Sequence, residues 1–236
     1  MRTRMLALVA ASGAVVLAAA ALPASALPAS APPAQDSGAP SEGTVGAAEL
    51  LDRVRTCRRI SHGMYRTDQG GPAKIPVCGT KRAVFWTADM DIDCDGRTTA
   101  VCNRKKDPSF QPGTAFQTSA GKPLDSSTLP YIVVPGPGPL WKYADHGIKG
   151  GAVAAVIHDD KVLYAVVGDT GPTGIIGEAS YAAAKRLGID PDPKSGGTAS
   201  EVTYILFRDS SVSPVEDHEA AVAEGEALAR KFVAGD

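Results

Sequence analysis

Two carboxylates bracket the stretch VVGDTGPTGIIGEAS, which runs from Val166 to Ser180: Asp169 follows an apolar run, and Glu178 stands beyond Gly171, Pro172, Gly174 and Gly177. Those glycines and the proline impose a sharp turn, and Ile175 and Ile176 give it a short apolar anchor. A pair of carboxylates facing one cleft is what acid–base cleavage of a glycosidic bond requires. One group protonates the leaving oxygen, and the other activates water or attacks directly. The same spacing also fits a purely structural role, with Asp169 in an Asx-type turn and Glu178 answering the positive end of a following helix. A helix terminus would lower the Glu178 pKa, whereas an acid catalyst needs it raised, so burial has to dominate for the catalytic reading to hold.

A second cluster lies in WTADMDIDCDG, where Asp89, Asp91, Asp93 and Asp95 alternate between Trp86 and Gly96. Four acids on one side of an extended segment repel one another unless a positive group sits among them. Asp91, Asp93, Asp95 and Gly96 copy the opening of a calcium loop, but the twelfth position is Cys102 in place of the bidentate glutamate. A cationic substrate is the second candidate, and a solvated acidic turn tied down by Cys94 is the third. Trp141 and Tyr143, after a Pro/Gly-rich loop, are candidates to stack on sugar rings, as is Trp86. All three are equally suited to a core.

The elements that must position these residues are mostly strands. Residues 83–87, 131–134, 151–157, 162–167 and 202–207 are short runs rich in β-branched and aromatic residues, bounded by Gly, Pro, Asp or Ser. His158 to Lys161 reads as a hairpin turn. Helices are expected over 47–60, over 178–187 with Gly188 as the stop, and from Ser213–Pro214 towards the end of the chain, where Arg230 and Lys231 suit the negative pole of a helix. The pattern predicts a mainly β domain, a small barrel with peripheral helices.

Arg2 and Arg4, an apolar run and the small triplet Ala24–Ala26 have the layout of a cleavable export signal over residues 1–26, with Ala29–Ala31 as a second cleavage point. Residues 27–46 are nearly all Ala, Pro, Ser and Gly, a composition expected to form a flexible lead-in to a domain over 47–236. Loss of Arg2 and Arg4 with the signal takes the formal net charge from -2 to -4. That mild acidity argues against nucleic acid as a partner. Cys57, Cys78, Cys94 and Cys102 are an even set in an exported chain and imply two disulfides. Of three possible connectivities, pairing of nearest neighbours closes the shortest loops. Zinc is disfavoured, because there is no CxxC pair and His62, His146, His158 and His218 lack ligand-like spacing. The glycines of the 168–177 turn do not fit GxGxxG, and no Walker lysine follows, so no nucleotide cofactor is expected.

The MDIDCDG segment, PYIVV at Pro130–Val134 and YAVVGDTGPTGIIGEASYAAAKRLGI at Tyr164–Ile189 resemble the chitosanases of glycoside hydrolase family 75. The resemblance covers most of the chain from Cys57 to Phe207. It implies inverting endo-hydrolysis of the β-1,4 linkages of chitosan, and with the export signal the expected protein is a secreted monomer. Asp169 would be the general base and Glu178 the general acid, with no metal, no other cofactor and no membrane contact after signal cleavage. Chitosan carries ammonium groups, so Asp89, Asp91, Asp93 and Asp95 would line cationic-sugar subsites, with Thr170, Trp141 and Tyr143 as further contacts. The DTGPTGIIG turn is also similar to that of double-psi β-barrels in cell-wall lytic transglycosylases. The expected fold is therefore a six-stranded double-psi-like β-barrel, disulfide-stabilised. Peptidoglycan cleavage and a non-catalytic polysaccharide-binding module are the alternative functions.

Overall fold

The structure is a computed structural model that describes residues 41–235. The signal-like residues 1–26 and the lead-in as far as residue 40 lie outside the described residues. Among the described residues, Ser41 and Glu42, within the expected lead-in, are already hydrogen-bonded to the domain. The Glu42 amide donates to the Val162 carbonyl, and the Glu42 carboxylate accepts from the Tyr164 amide at 2.8 Å and meets His218 at 2.8 Å and Arg186 at 3.0 Å.

Seven strands and three α-helices follow: α1 (Ala47–Asp52), β1 (Cys78–Gly79), β2 (Ala83–Asp93), β3 (Tyr131–Pro135), β4 (Val153–His158), β5 (Lys161–Gly171), β6 (Glu178–Ser180), α2 (Tyr181–Leu187), β7 (Thr198–Phe207) and α3 (His218–Ala234). The strands are ordered β2-β6-β3-β5-β4-β7, and pairing of β7 with β2 closes the ring into a six-stranded barrel, with β1 added against β2. Two neighbour pairs are parallel, β2 with β6 and β3 with β5, and the other four are antiparallel. Exchanging β2, β3 and β4 for β5, β6 and β7 maps every pairing onto another of the same sense, which is the internal twofold of a double-psi barrel. The expected barrel is thus observed, and closure leaves its strands no free edge.

Alternation along the strands separates two apolar layers. Val84, Trp86, Ala88 and Met90 of β2, Ile132 and Val134 of β3, and Leu163, Ala165 and Val167 of β5 fill the interior with residues from the other strands. Phe85, Tyr131, Val133, Tyr164 and Val166 point outward, in the layer that also holds Leu50 of α1 and Ala221, Ala229 and Phe232 of α3. Helix α2 is capped by the Ser180 hydroxyl, which accepts from the Ala183 amide, and ends at Gly188 in the left-handed region (φ 81°).

Three sequence expectations shift. Helix α1 stops at Asp52, because Cys57 is tied by its disulfide to Cys78 of β1 and Arg59 forms a β-bridge to the same residue. Residues 178–180 are a strand instead of the first turn of a helix. The last helix begins at His218, where the Asp217 carboxylate caps the Ala220 amide at 2.9 Å.

Both expected disulfides are present, Cys57–Cys78 closing a separation of 21 residues and Cys94–Cys102 one of 8. The second, with Phe110, forms a small cluster of its own beside Tyr181. Replacing Cys57 and Cys78 together by Ala is expected to remove about 3 kcal/mol of stability, seen as a fall in Tm of roughly 6–12 °C in thermal melts.

Candidate active site

The position of Asp169 depends on one extra residue. In the β3–β5 pairing, Ile132 faces Val167 but Val133 faces Asp169, so Gly168 is bulged out of register. Without it, Asp169 would follow Val167 by two and point into the barrel. The bulge turns it outward. A side chain at 168 would stand 2.6 Å from Tyr131, so the position requires glycine. Asp169 lies within β5 rather than beyond its end, as the sequence implied, and Glu178 lies on β6 instead of at a helix N-terminus.

Val133 pairs with Asp169 on one side and Glu178 on the other, and Glu178 in turn faces Asp91 of β2. Directly opposed residues share a face of a sheet, so Asp91, Glu178, Val133 and Asp169 form one row across four neighbouring strands. Val133 is the spacer: Asp169 and Glu178 are two strand widths apart, about 10 Å at the backbone. A cleft of about 280 Å³ opens over Glu178, Val133 and Asp169 of this row, lined also by Asp93, Asp95, Asp107 and Thr170. Gly171 gives the Glu178 carboxylate room, since a side chain there would stand 2.5 Å from Oε2.

Burial sets the protonation of these groups. It pushes Glu178 to about 7, aided by the charges of Asp91, Asp95 and Asp169. Burial also raises Asp169, which is 7% exposed, but its Oδ1 accepts from the Ala115 amide at 2.8 Å and the Thr170 amide at 2.7 Å, and both bonds favour the ionised form. Burial takes Asp95 to about 6 against a hydrogen bond from the Gln111 amide, with Asp169 and Asp107 adding to the rise. Asp93 is raised well above the ordinary range by burial, against a bond from the Asp95 amide. The objection that a helix dipole would hold Glu178 ionised falls away, because Ser180, not Glu178, caps α2.

The acidic run of β2 divides. Asp93 and Asp95 reach the cleft, whereas carboxylate oxygens of Asp89 and Asp91 gather with that of Asp68, all within 4.8 Å of one another. The calcium-loop reading of 91–96 does not survive, because Asp91 and Asp93 belong to a regular strand. Thr170 lines the cleft. Trp141 is 2% exposed, donates its indole N–H to His146 at 3.1 Å and packs against Trp86, which stacks on Tyr204. Trp86 and Trp141 are therefore core residues, whereas Tyr143 is half-buried at the edge of the interior cluster. Asp107 and Asp68 were missed. Asp-Pro at 107–108 signals a turn, but nothing local connects it to the cleft.

A closed six-stranded barrel thus carries two largely buried carboxyls, Asp169 and Glu178, over an acidic cleft, an arrangement able to exchange protons with a bound molecule. Residues 90–232 match the family described as fungal chitosanase of glycosyl hydrolase group 75, and the chain belongs to that family. An endo-chitosanase of Aspergillus oryzae (strain ATCC 42149 / RIB 40) is 31% identical over 169 residues, 63% of this chain and 68% of that protein. An endo-chitosanase of Aspergillus fumigatus is 31% identical over 169 residues, 66% of this chain and 71% of its own. Endo-chitosanase C of Aspergillus oryzae is 36% identical over 138 residues, 56% of this chain and 33% of that protein.

Because the folded state holds Glu178 protonated up to about 7, its neutral form is favourable below the unfolded-state pKa and that contribution is lost as pH rises through 7. Glu178→Gln, which cannot ionise, should match the parent Tm near pH 4.5 and exceed it at pH 8. A difference that stays constant across a series of melts would contradict this electrostatic account.

Proposed function

We propose that the protein is an exported endo-chitosanase that cleaves β-1,4 linkages between glucosamine units with inversion, Asp169 acting as general base and Glu178 as general acid. The observation that carries the reading is the row Glu178–Val133–Asp169, in which a carboxyl raised to about 7 faces a carboxylate held by two backbone amides across one intervening strand. Near neutral pH, Glu178 retains a proton to give to the leaving oxygen, and ionised Asp169 takes one from water. The two-strand spacing of about 10 Å at the backbone supports an inverting pair, whose carboxyls stand about 6.5–9.5 Å apart, over a retaining pair at about 5–5.5 Å. Asp93, Asp95 and Asp107 would bind the ammonium groups of the substrate, and the names of the relatives point to the same polymer. Export is supported by the signal-like start of the chain and by the two disulfides.

Incubation with highly deacetylated chitosan, followed by anomeric proton NMR, should show oligomers released first in the α form; β products would overturn the inverting assignment. Asp169→Asn and Glu178→Gln should each lower kcat by at least about 10²-fold without loss of fold. Cleavage of peptidoglycan but not chitosan would move the protein to the transglycosylase reading. The pH–rate profile should fall on the alkaline side near 7 as Glu178 loses its proton, and on the acid side as Asp169 gains one. KM for chitosan should rise with added salt, because the contacts are ionic; a KM indifferent to salt would remove Asp93, Asp95 and Asp107 from the binding role.

A further inference from the structure

Asp68, Asp89 and Asp91 do not line the cleft, and only the charge of Asp91 on Glu178 links them to the acid–base pair. They come from two segments, the loop after Thr67 and strand β2, and each contributes a carboxylate oxygen to a group within 4.8 Å. Asp89 is 5% exposed, and its Oδ1 is buried without a hydrogen-bond partner. The fold holds it there from two sides. The Tyr204 hydroxyl donates to the Asp89 carbonyl at 2.9 Å, and position 177 is a glycine at φ 115° where any side chain would run into the Asp89 carboxylate. The Asp91 amide is bonded to the Gly177 carbonyl at 2.7 Å, which fixes the neighbouring ligand. No lysine, arginine or histidine forms a described ion pair with any of the three.

A buried carboxylate with an unpartnered oxygen, held against two more carboxylates, calls for a positive charge. We propose that Asp68, Asp89 and Asp91 bind one divalent cation, with calcium the ion of choice. Calcium takes hard oxygen ligands about 2.3–2.6 Å away, so oxygens on opposite sides of one ion stand about 5 Å apart, the spread this trio has. Asp68 and Asp91 are exposed, which leaves the remaining positions to water and an open route of entry. Bound there, the ion ties the 66–72 loop to β2 beside Glu178, the residue that Asp91 faces across the sheet.

The test uses the full mature chain stripped with a chelator, titrated with CaCl₂ by calorimetry and followed in thermal melts. The expected result is saturable binding of one calcium per chain and a Tm rise of about 5–10 °C at calcium a hundredfold above Kd. Asp68→Asn, an exposed conservative change, should weaken that binding at least about tenfold. No saturable binding at millimolar calcium, or the same Tm rise from NaCl at equal ionic strength, would overturn the proposal. So would a shift dependent on Asp68 that glucosamine produces and calcium does not, which would make the trio a sugar subsite. Chitosan hydrolysis measured on the same preparation reports separately on the proposed function.

Discussion

The candidate site rests on the register of a closed ring. Once β7 pairs with β2, no strand can slide without disrupting both neighbours, so the order of residues across the barrel surface is fixed by hydrogen bonding. Within that ring the bulge at Gly168 decides on which face Asp169 emerges. A residue added to β5 at that point shifts the parity of everything after it, and the tight approach of Tyr131 leaves room only for glycine. Asp169 and Glu178 face one cleft because of this local irregularity in an otherwise regular barrel.

The electrostatics follow from the packing. Carboxyls gathered on one strip of surface, each partly removed from water, are pushed toward their neutral forms, and backbone amides are the only groups that pull in the other direction. Two amides reach Asp169, and no such bond lowers Glu178. That asymmetry gives the two carboxyls different proton affinities, the property on which the proposed division into base and acid rests. It also makes the strip a place that costs stability, since neutral amides in place of these carboxyls would carry no charge to desolvate.

The alternation of acids along β2 has a structural consequence that periodicity alone conceals. Asp89, Asp91 and Asp93 alternate along β2 and Asp95 lies just past its end, but the loops on the two flanks differ. Asp93 and Asp95 turn into the cleft beside Asp107, held there by the Cys94–Cys102 bridge and its small cluster. Asp89 and Asp91 face the 66–72 loop and Asp68 instead. A single run of sequence thus serves two regions of different chemistry.

Much of this was legible in the residues. The strand runs at 83–87, 131–134, 162–167 and 202–207 are apolar and β-branched whatever they pack against, and four cysteines in a short span leave few ways to pair. The carboxylates at 169 and 178 stood out because glycine and proline between them are turn chemistry, and the motifs around them carried the family resemblance. The three-residue strand at 178–180 was not legible, because it is held by neighbours β2 and β3 and its own sequence reads equally well as a helix start. Nor were the core positions of Trp86 and Trp141, whose aromatic surface suits a sugar and a barrel interior alike. By itself the sequence determined a disulfide-bonded, strand-rich domain with a carboxylate pair at a tight turn, since local propensity and side-chain chemistry need no partner. Only the tertiary structure decided which acids meet, through which bulge and at what separation, because those depend on pairing between strands as distant in sequence as β2 and β7.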